Sequence, residues 1–177
     1  MTGRIEDYAA IGNCETMALV GRDGSIDWLC FPRFDSAACF SALVGDASHG
    51  RWLLAPEQQL STQRQYRGNT MVLETTFTTM DGNVQVIDFL TRRDGVSDLV
   101  RIAKGLRGKV RMRTELVVRF EYGSIVPWMS RLPDGRRKLT AGPDRLVLAA
   151  DVRLQGQDNL RSRATFEIAA ARKSPSR

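Results

Sequence analysis

Lys109-Val-Arg-Met-Arg-Thr-Glu-Leu-Val-Val-Arg119 sets apolar residues at every second position. Successive side chains of an extended chain point to opposite faces, so this spacing predicts a half-buried strand with a wet outer face. Carried on to Phe120, it places Val110, Met112, Thr114, Leu116, Val118 and Phe120 on one side. A long strand with one apolar face needs a second layer to cover it. The expectation is an all-β, antiparallel β-sandwich.

On either side of this stretch, β-type segments recur between turn signals at intervals of about 8 to 12 residues. Met17–Val20 and Ile26–Cys30 flank Gly21-Arg-Asp-Gly24-Ser25, and Thr70–Met80 and Val84–Leu90 flank Asp81-Gly82-Asn83. Both read as hairpins, since glycine supplies the positive φ of a tight reversal. Further strands are expected at Leu99–Lys104, Ser124–Leu132, Arg145–Leu154 and Arg163–Ala169, with turns at Pro133-Asp-Gly135 and Gly142-Pro-Asp144. One short helix is expected at Ala37–Val44, capped by Asp35 or Ser36 and ended by Gly45.

The chain has 177 residues, 42% hydrophobic and 26% charged, which fits one globular domain and disfavours a disordered or disulfide-stapled chain. No apolar run reaches the roughly 18 to 20 residues of a membrane helix, and Met1–Tyr8 lacks the apolar core of a secretory signal. A cytoplasmic location is the default expectation. Cys14, Cys30 and Cys39 cannot all pair among themselves and read as reduced thiols. His49 is the one histidine, in a turn-like segment, so neither a histidine metal cluster nor a Ser-His or Cys-His relay is expected. No metal and no cofactor is expected. The net charge of +6 is local: residues 92–138 hold 13 basic and 5 acidic side chains, while residues 1–60 hold 4 and 8. A basic stretch raises nucleic-acid binding, but its alternation with apolar residues is that of a solvated sheet face.

Arg4-Ile-Glu-Asp-Tyr-Ala-Ala-Ile-Gly12 and Ala18-Leu-Val-Gly-Arg-Asp-Gly-Ser-Ile-Asp-Trp-Leu-Cys-Phe-Pro-Arg-Phe-Asp-Ser36 resemble the N-terminal region of bacterial family 15 glycoside hydrolases, the glucoamylase-like and trehalase-like enzymes. The resemblance continues through Gly50-Arg-Trp52, Leu73-Glu74-Thr75, Val86-Ile-Asp-Phe89, Asp98-Leu-Val-Arg-Ile102, Arg119-Phe-Glu-Tyr-Gly123 and Val126-Pro-Trp128, and covers residues 4–170. It implies a trehalase-like N-terminal sandwich, of the super-β-sandwich type, over residues 1–170. In relatives this sandwich precedes a catalytic (α/α)6 barrel that hydrolyses α-glucosidic bonds with inversion. Inversion requires two carboxyl groups roughly 6.5 to 9.5 Å apart around a sugar and a water. The resemblance implies that the barrel carries both, so no catalytic residue is assigned and this chain alone is expected to be inactive. Asn13 and Ala37 depart from the more usual Asp and Pro of relatives. Residues 171–177 depart further, as a divergent polar tail. Codons for Gly-Glu-Lys-Val-Pro-Phe read one nucleotide out of phase encode Ala-Arg-Lys-Ser-Pro-Ser, so a frameshift that truncates the domain is the expected origin.

Trp28, Arg33, Asp35 and Trp128 are the candidates for contact with substrate or with the barrel, because aromatic faces, an arginine and a carboxylate recognise sugar hydroxyls. The bland readings are that Trp28 fills core, that Trp52 and Trp128 serve core or interdomain packing, and that Arg33 pairs with Asp27 or Asp35. Asp88 and Glu74 are read as strand carboxylates bonded to a turn or an arginine, not as an acid and base. The leading function is a non-catalytic sandwich that packs on the barrel. A stand-alone carbohydrate-binding module is second, and a nucleic-acid binder using residues 92–138 is third.

Overall fold

The alternating stretch, as far as Val117, lies within a 22-residue strand, β9 (Val96–Val117), that organises the fold. The computed structural model describes residues 4–93, 95–157 and 161–170; the tail at 171–177 lies outside them. Before β9 come β1 (Tyr8–Gly12), β2 (Met17–Gly21), β3 (Ser25–Cys30), β4 (Ala38–Phe40), β5 (Arg51–Pro56), β6 (Ser61–Tyr66), β7 (Leu73–Thr78) and β8 (Gly82–Arg93). After it come β10 (Trp128–Arg131), β11 (Arg137–Ala141), β12 (Asp144–Leu148), β13 (Gln155–Gln157) and β14 (Arg161–Ala169). The strand pairs are antiparallel, and the large sheet runs β1-β2-β3-β5-β9-β8-β7-β6, with β4 on β3, β14 on β9 and β13 on β14. β10-β11-β12 form a small second sheet. The fold is the expected all-β, sandwich-like one.

β9 belongs to two halves of the curled sheet. Its first half pairs with β8, from Arg93↔Val96 to Gly82↔Gly108. Its second half runs between β5 (Arg51↔Val117 to Pro56↔Met112) and β14 (Arg161↔Val117 to Ala169↔Lys109). The register slips between Asn83 and Val84, which face Arg107 and Gly105 and leave Leu106 as an extra residue. Such a bulge inverts the facing of the strand. Arg101 therefore points inward from one half, and Val110, Met112, Thr114 and Leu116 do so along the other, with Val118 and Phe120 also buried just past its end.

The sheet curls far enough for side chains to join its two ends. Arg64 on β6 donates to Val20 O on β2 at 3.0 Å, and the Tyr66 hydroxyl donates to Ala10 O on β1 at 2.8 Å. One core cluster includes Ile11, Val20, Ile26, Leu73, Leu90 and Leu116, onto which Leu139 of the small sheet packs. A second gathers Leu53, Leu54, Phe77, Val84, Val86 and Met112.

The helix expected at Ala37–Val44 is not formed. Ala38–Phe40 pairs with β3 through Leu29↔Phe40 and Cys30↔Ala38, and only Ala42–Val44 turns as a 3-10 helix, ended as expected by Gly45 N–H on Ala42 O at 3.2 Å. The reason is burial: Ala38, Cys39 and Phe40 are all enclosed, and a short, fully buried apolar run suits a strand as well as a helix. Asp35 and Ser36 cap nothing; Ser36 Oγ accepts the Arg33 N–H instead, at 3.2 Å. The strand expected at Ser124–Leu132 shortens to β10, because Glu121–Gly123 forms a left-handed turn and Phe120 pairs locally with Ile125. β1, β5, β6, β11 and β13 were not anticipated, and the strand expected at Arg145–Leu154 ends at Leu148.

Candidate functional site

The segment after β3 carries two candidates. Pro32 has no N–H to donate to a ladder, so pairing stops there, and residues 31–36 leave the sheet as a bend. Arg33 and Asp35 sit on it, exposed, with Arg33 Nε 3.0 Å from Asp35 Oδ1. This is one of the two expected pairings. The hydrogen bond from Arg33 holds the Asp35 carboxyl below its ordinary value, and the same bond raises the guanidinium. The other possible partner, Asp27, is buried and accepts from the Tyr8 hydroxyl at 2.7 Å and from Ser25 Oγ.

Trp28 does not fill core. It is half-buried on β3, and its ring lies 6.2 Å from the ring of Tyr122 at an interplanar angle of 39°. Tyr122 was missed by the sequence reading. It is held out by a run of left-handed backbone, with φ of 49° at Glu121, 55° at Tyr122 and 101° at Gly123. Non-glycine residues at positive φ are strained, and such strain concentrates at functional surfaces. The signal in the sequence was Gly123: a Cβ there would lie 2.8 Å from His49 Cδ2. Ile125, Val126 and Trp128 follow, all exposed, with Trp128 at 79%. Trp128 therefore does not fill the core of this chain, which leaves interdomain packing as its bland reading; its neighbour Met129 supplies the inward contact of β10.

Trp52 does belong to the interior. Its Nε1 donates to Thr114 Oγ1 at 3.1 Å, and its ring lies under the Arg101 guanidinium, 5.5 Å from ring centroid to charge. Arg101 also bonds Asp88 at 2.8 Å, Gly24 O at 2.7 Å and Trp52 O. Asp88 is thus fully committed to an arginine, as anticipated, and Glu74 is bonded by Arg67 and Gln65. Glu115, almost enclosed, receives Arg51 at 2.8 Å and Arg163. Burial raises its pKa, yet the bonds from Arg51 and then Arg163 outweigh burial and leave it below its ordinary value. A carboxylate held by two guanidiniums is a poor general acid.

The basic outer face of β9 is partly neutralised by its neighbours. Lys109 pairs with Glu167 at 2.5 Å and Arg111 with Glu57 at 3.3 Å, which argues for the solvated sheet face. Among the described residues no group of three or more His, Cys, Asp or Glu side chains is placed to hold a metal ion, and no helix is long and apolar enough to cross a membrane.

Comparison with known proteins agrees with the geometry. A family model described as trehalase-like, N-terminal, matches residues 1–175. The chain is 32% identical over 129 residues to trehalase 2 of Sulfolobus acidocaldarius, covering 73% of this chain and 21% of that protein. It is 38% identical over 87 residues to the trehalase of Mycolicibacterium smegmatis, covering 49% of this chain and 13% of that protein. The chain therefore matches only about a fifth or less of the length of these relatives. No solved structure matches.

Proposed function

The chain belongs to the trehalase-like N-terminal family, and on that premise we propose that it is a non-catalytic β domain bracing the catalytic portion of a family 15 glycoside hydrolase, of trehalase or glucoamylase type. The observation that carries this reading is the aromatic flank, where Tyr122 lies tilted against Trp28 and Trp128 is 79% exposed. Large exposed aromatic surface favours a covering partner, and relatives devote most of their length to polypeptide outside the matched region. Trp28 and Trp128 would meet that partner, with the Arg33–Asp35 pair at its rim near the substrate. The bonds to Asp88, Glu74 and Glu115 support a structural use of these carboxylates, leaving acid–base chemistry to the partner. The three unpaired cysteines support a reducing, cytoplasmic setting.

The test is calorimetric titration of this chain into S. acidocaldarius trehalase 2 lacking its matching 129 residues. Binding that weakens on Trp28→Ala and Trp128→Ala is expected; no binding, or binding indifferent to both, contradicts the proposal. The Trp28–Tyr122 pair also favours a second reading, a sugar-stacking platform. That reading requires tryptophan fluorescence to change on titration with maltooligosaccharides or trehalose.

A further inference from the structure

The first half of β9 has one edge whose backbone no described residue bonds. In an antiparallel ladder both polar groups of a residue point to one side and those of its neighbours point to the other. Arg93 and Val96 close a two-residue turn and so bond each other. Val100, Ile102 and Lys104 therefore turn their backbone groups toward β8, while Leu99, Arg101, Ala103 and Gly105 turn theirs away. Gly105 is met by Ala170, but among the described residues nothing bonds the N–H or C=O of Leu99, Arg101 or Ala103. Arg101 shows the result: its side chain has 0% exposure and yet the residue is only half-buried, so the part that water reaches is backbone.

This edge borders an apolar groove of about 570 Å³, lined also by Trp52, Leu54, Leu116, Phe166, Ile168 and Val152. A small apolar molecule in the groove leaves the backbone groups unpaired. An extended strand satisfies both features, with ladder bonds to β9 and alternate side chains in the groove. Other edges are managed differently: the β6 and β1 ends are bridged by the Arg64 and Tyr66 side chains. An inward charge can also guard an edge. Arg101 does not act so, because it is already enclosed and bonded to Asp88, Gly24 O and Trp52 O, and a neighbouring strand takes no water from it.

We propose that the Leu99–Ala103 edge receives an extended strand, antiparallel to β9 and apolar at every second residue, from the polypeptide that relatives carry outside the matched region. Continuity with an existing ladder selects this occupant. β14 already runs antiparallel along the same edge of β9, from Arg161↔Val117 to Ala169↔Lys109, and its end reaches Gly105. The relatives devote most of their length to polypeptide outside the match. A residue opposite Arg101 exchanges both backbone bonds with it and shares its inward face. The residues that bond β9 are thus the ones whose side chains enter the groove, and the residues between them face solvent beside the exposed Ile102 and Lys104. The proposal rests on the reading of this chain as one portion of a longer enzyme, but not on the Trp28–Trp128 flank.

Amide-resolved hydrogen exchange on the 177-residue chain tests the proposal with a synthetic strand, Lys-Val-Thr-Val-Thr-Val-Lys, made in two forms. N-methylation of its threonines leaves the valine amides free to bond β9, and N-methylation of its valines blocks them. The threonine-methylated form is expected to slow exchange at Leu99, Arg101 and Ala103 by about tenfold or more, and the valine-methylated form to leave it unchanged. Protection by neither form, or equal protection by both, overturns the proposal. Protection in the chain alone also overturns it, since the chain or a second copy then covers the edge. Ala103→Pro removes an outward N–H that the ladder to β8 does not use. With folding verified by circular dichroism, it is expected to weaken peptide binding about tenfold, and unchanged binding overturns the proposal. In the mixture with truncated trehalase 2, the same three amides are expected to become protected. Binding that leaves them exposed overturns this proposal and spares the bracing reading.

Discussion

Asp88 on β8 and Arg101 on β9 are direct cross-strand partners whose charged groups meet 2.8 Å apart with both side chains out of solvent, at 1% and 0% exposure. Arg101 reaches onward to the carbonyls of Gly24 and Trp52, so one guanidinium ties the β8–β9 ladder to the β2–β3 turn and to β5. Removing one partner leaves the other buried and uncompensated, which costs about 3–5 kcal/mol. Asp88→Ala and Arg101→Met are each expected to lower stability by that amount in urea unfolding. Their double variant should be less destabilised than the sum of the two.

Acid is expected to weaken the fold through Glu115. Its folded pKa lies below the ordinary 4.5, because Arg51 and Arg163 outweigh the cost of burial. A carboxyl depressed in the folded state contributes stability that is present above its unfolded pKa and is lost as pH falls through the folded one. The urea midpoint should therefore drop as pH falls below about 4.5. In Glu115→Gln the midpoint should be lower at neutral pH and should fall less steeply in acid.

The three thiols should separate cleanly by reactivity. Cys14 is exposed, whereas Cys30 and Cys39 are buried, and burial pushes both of the latter above the ordinary thiol value. Thiolate is the reacting form. Titration with a disulfide reagent should show one fast thiol that disappears in Cys14→Ser, with two more released on unfolding.

The bend of β9 rests on close backbone contact at Gly82 and Gly108. A Cβ on Gly108, whose φ is +69°, would lie 2.0 Å from Asp81 O. Gly108→Ala is expected to cost more than about 2 kcal/mol, since it adds a clash to an unfavourable φ. Thermal unfolding measures it.

Much of this architecture was legible in period-two patterning. The six even-numbered residues from Val110 to Phe120 are all buried, as their spacing required; of the expected turns, Pro133–Gly135 falls between strands, whereas Gly82 and Asn83 already belong to β8 and Asp144 to β12. What escaped depends on partners distant in sequence. β6, Ser-Thr-Gln-Arg-Gln-Tyr, has no apolar alternation and holds its place through β7 and through the bonds of Arg64 and Tyr66. Ala38-Cys39-Phe40 is too short to distinguish strand from helix until β3 lies beside it. At the candidate site, the Arg33–Asp35 pair is local and was readable. The tilted contact of Trp28 with Tyr122 joins residues far apart in the chain, and no periodicity announces it.

On the proposed function, these β layers support glycoside hydrolysis without performing it. Glucose release from trehalose, maltose and starch by the purified 177-residue chain tests this most directly. None is expected above a preparation from cells carrying the empty vector. Sustained release that vanishes when a single carboxylate such as Asp35 is changed to alanine would contradict it.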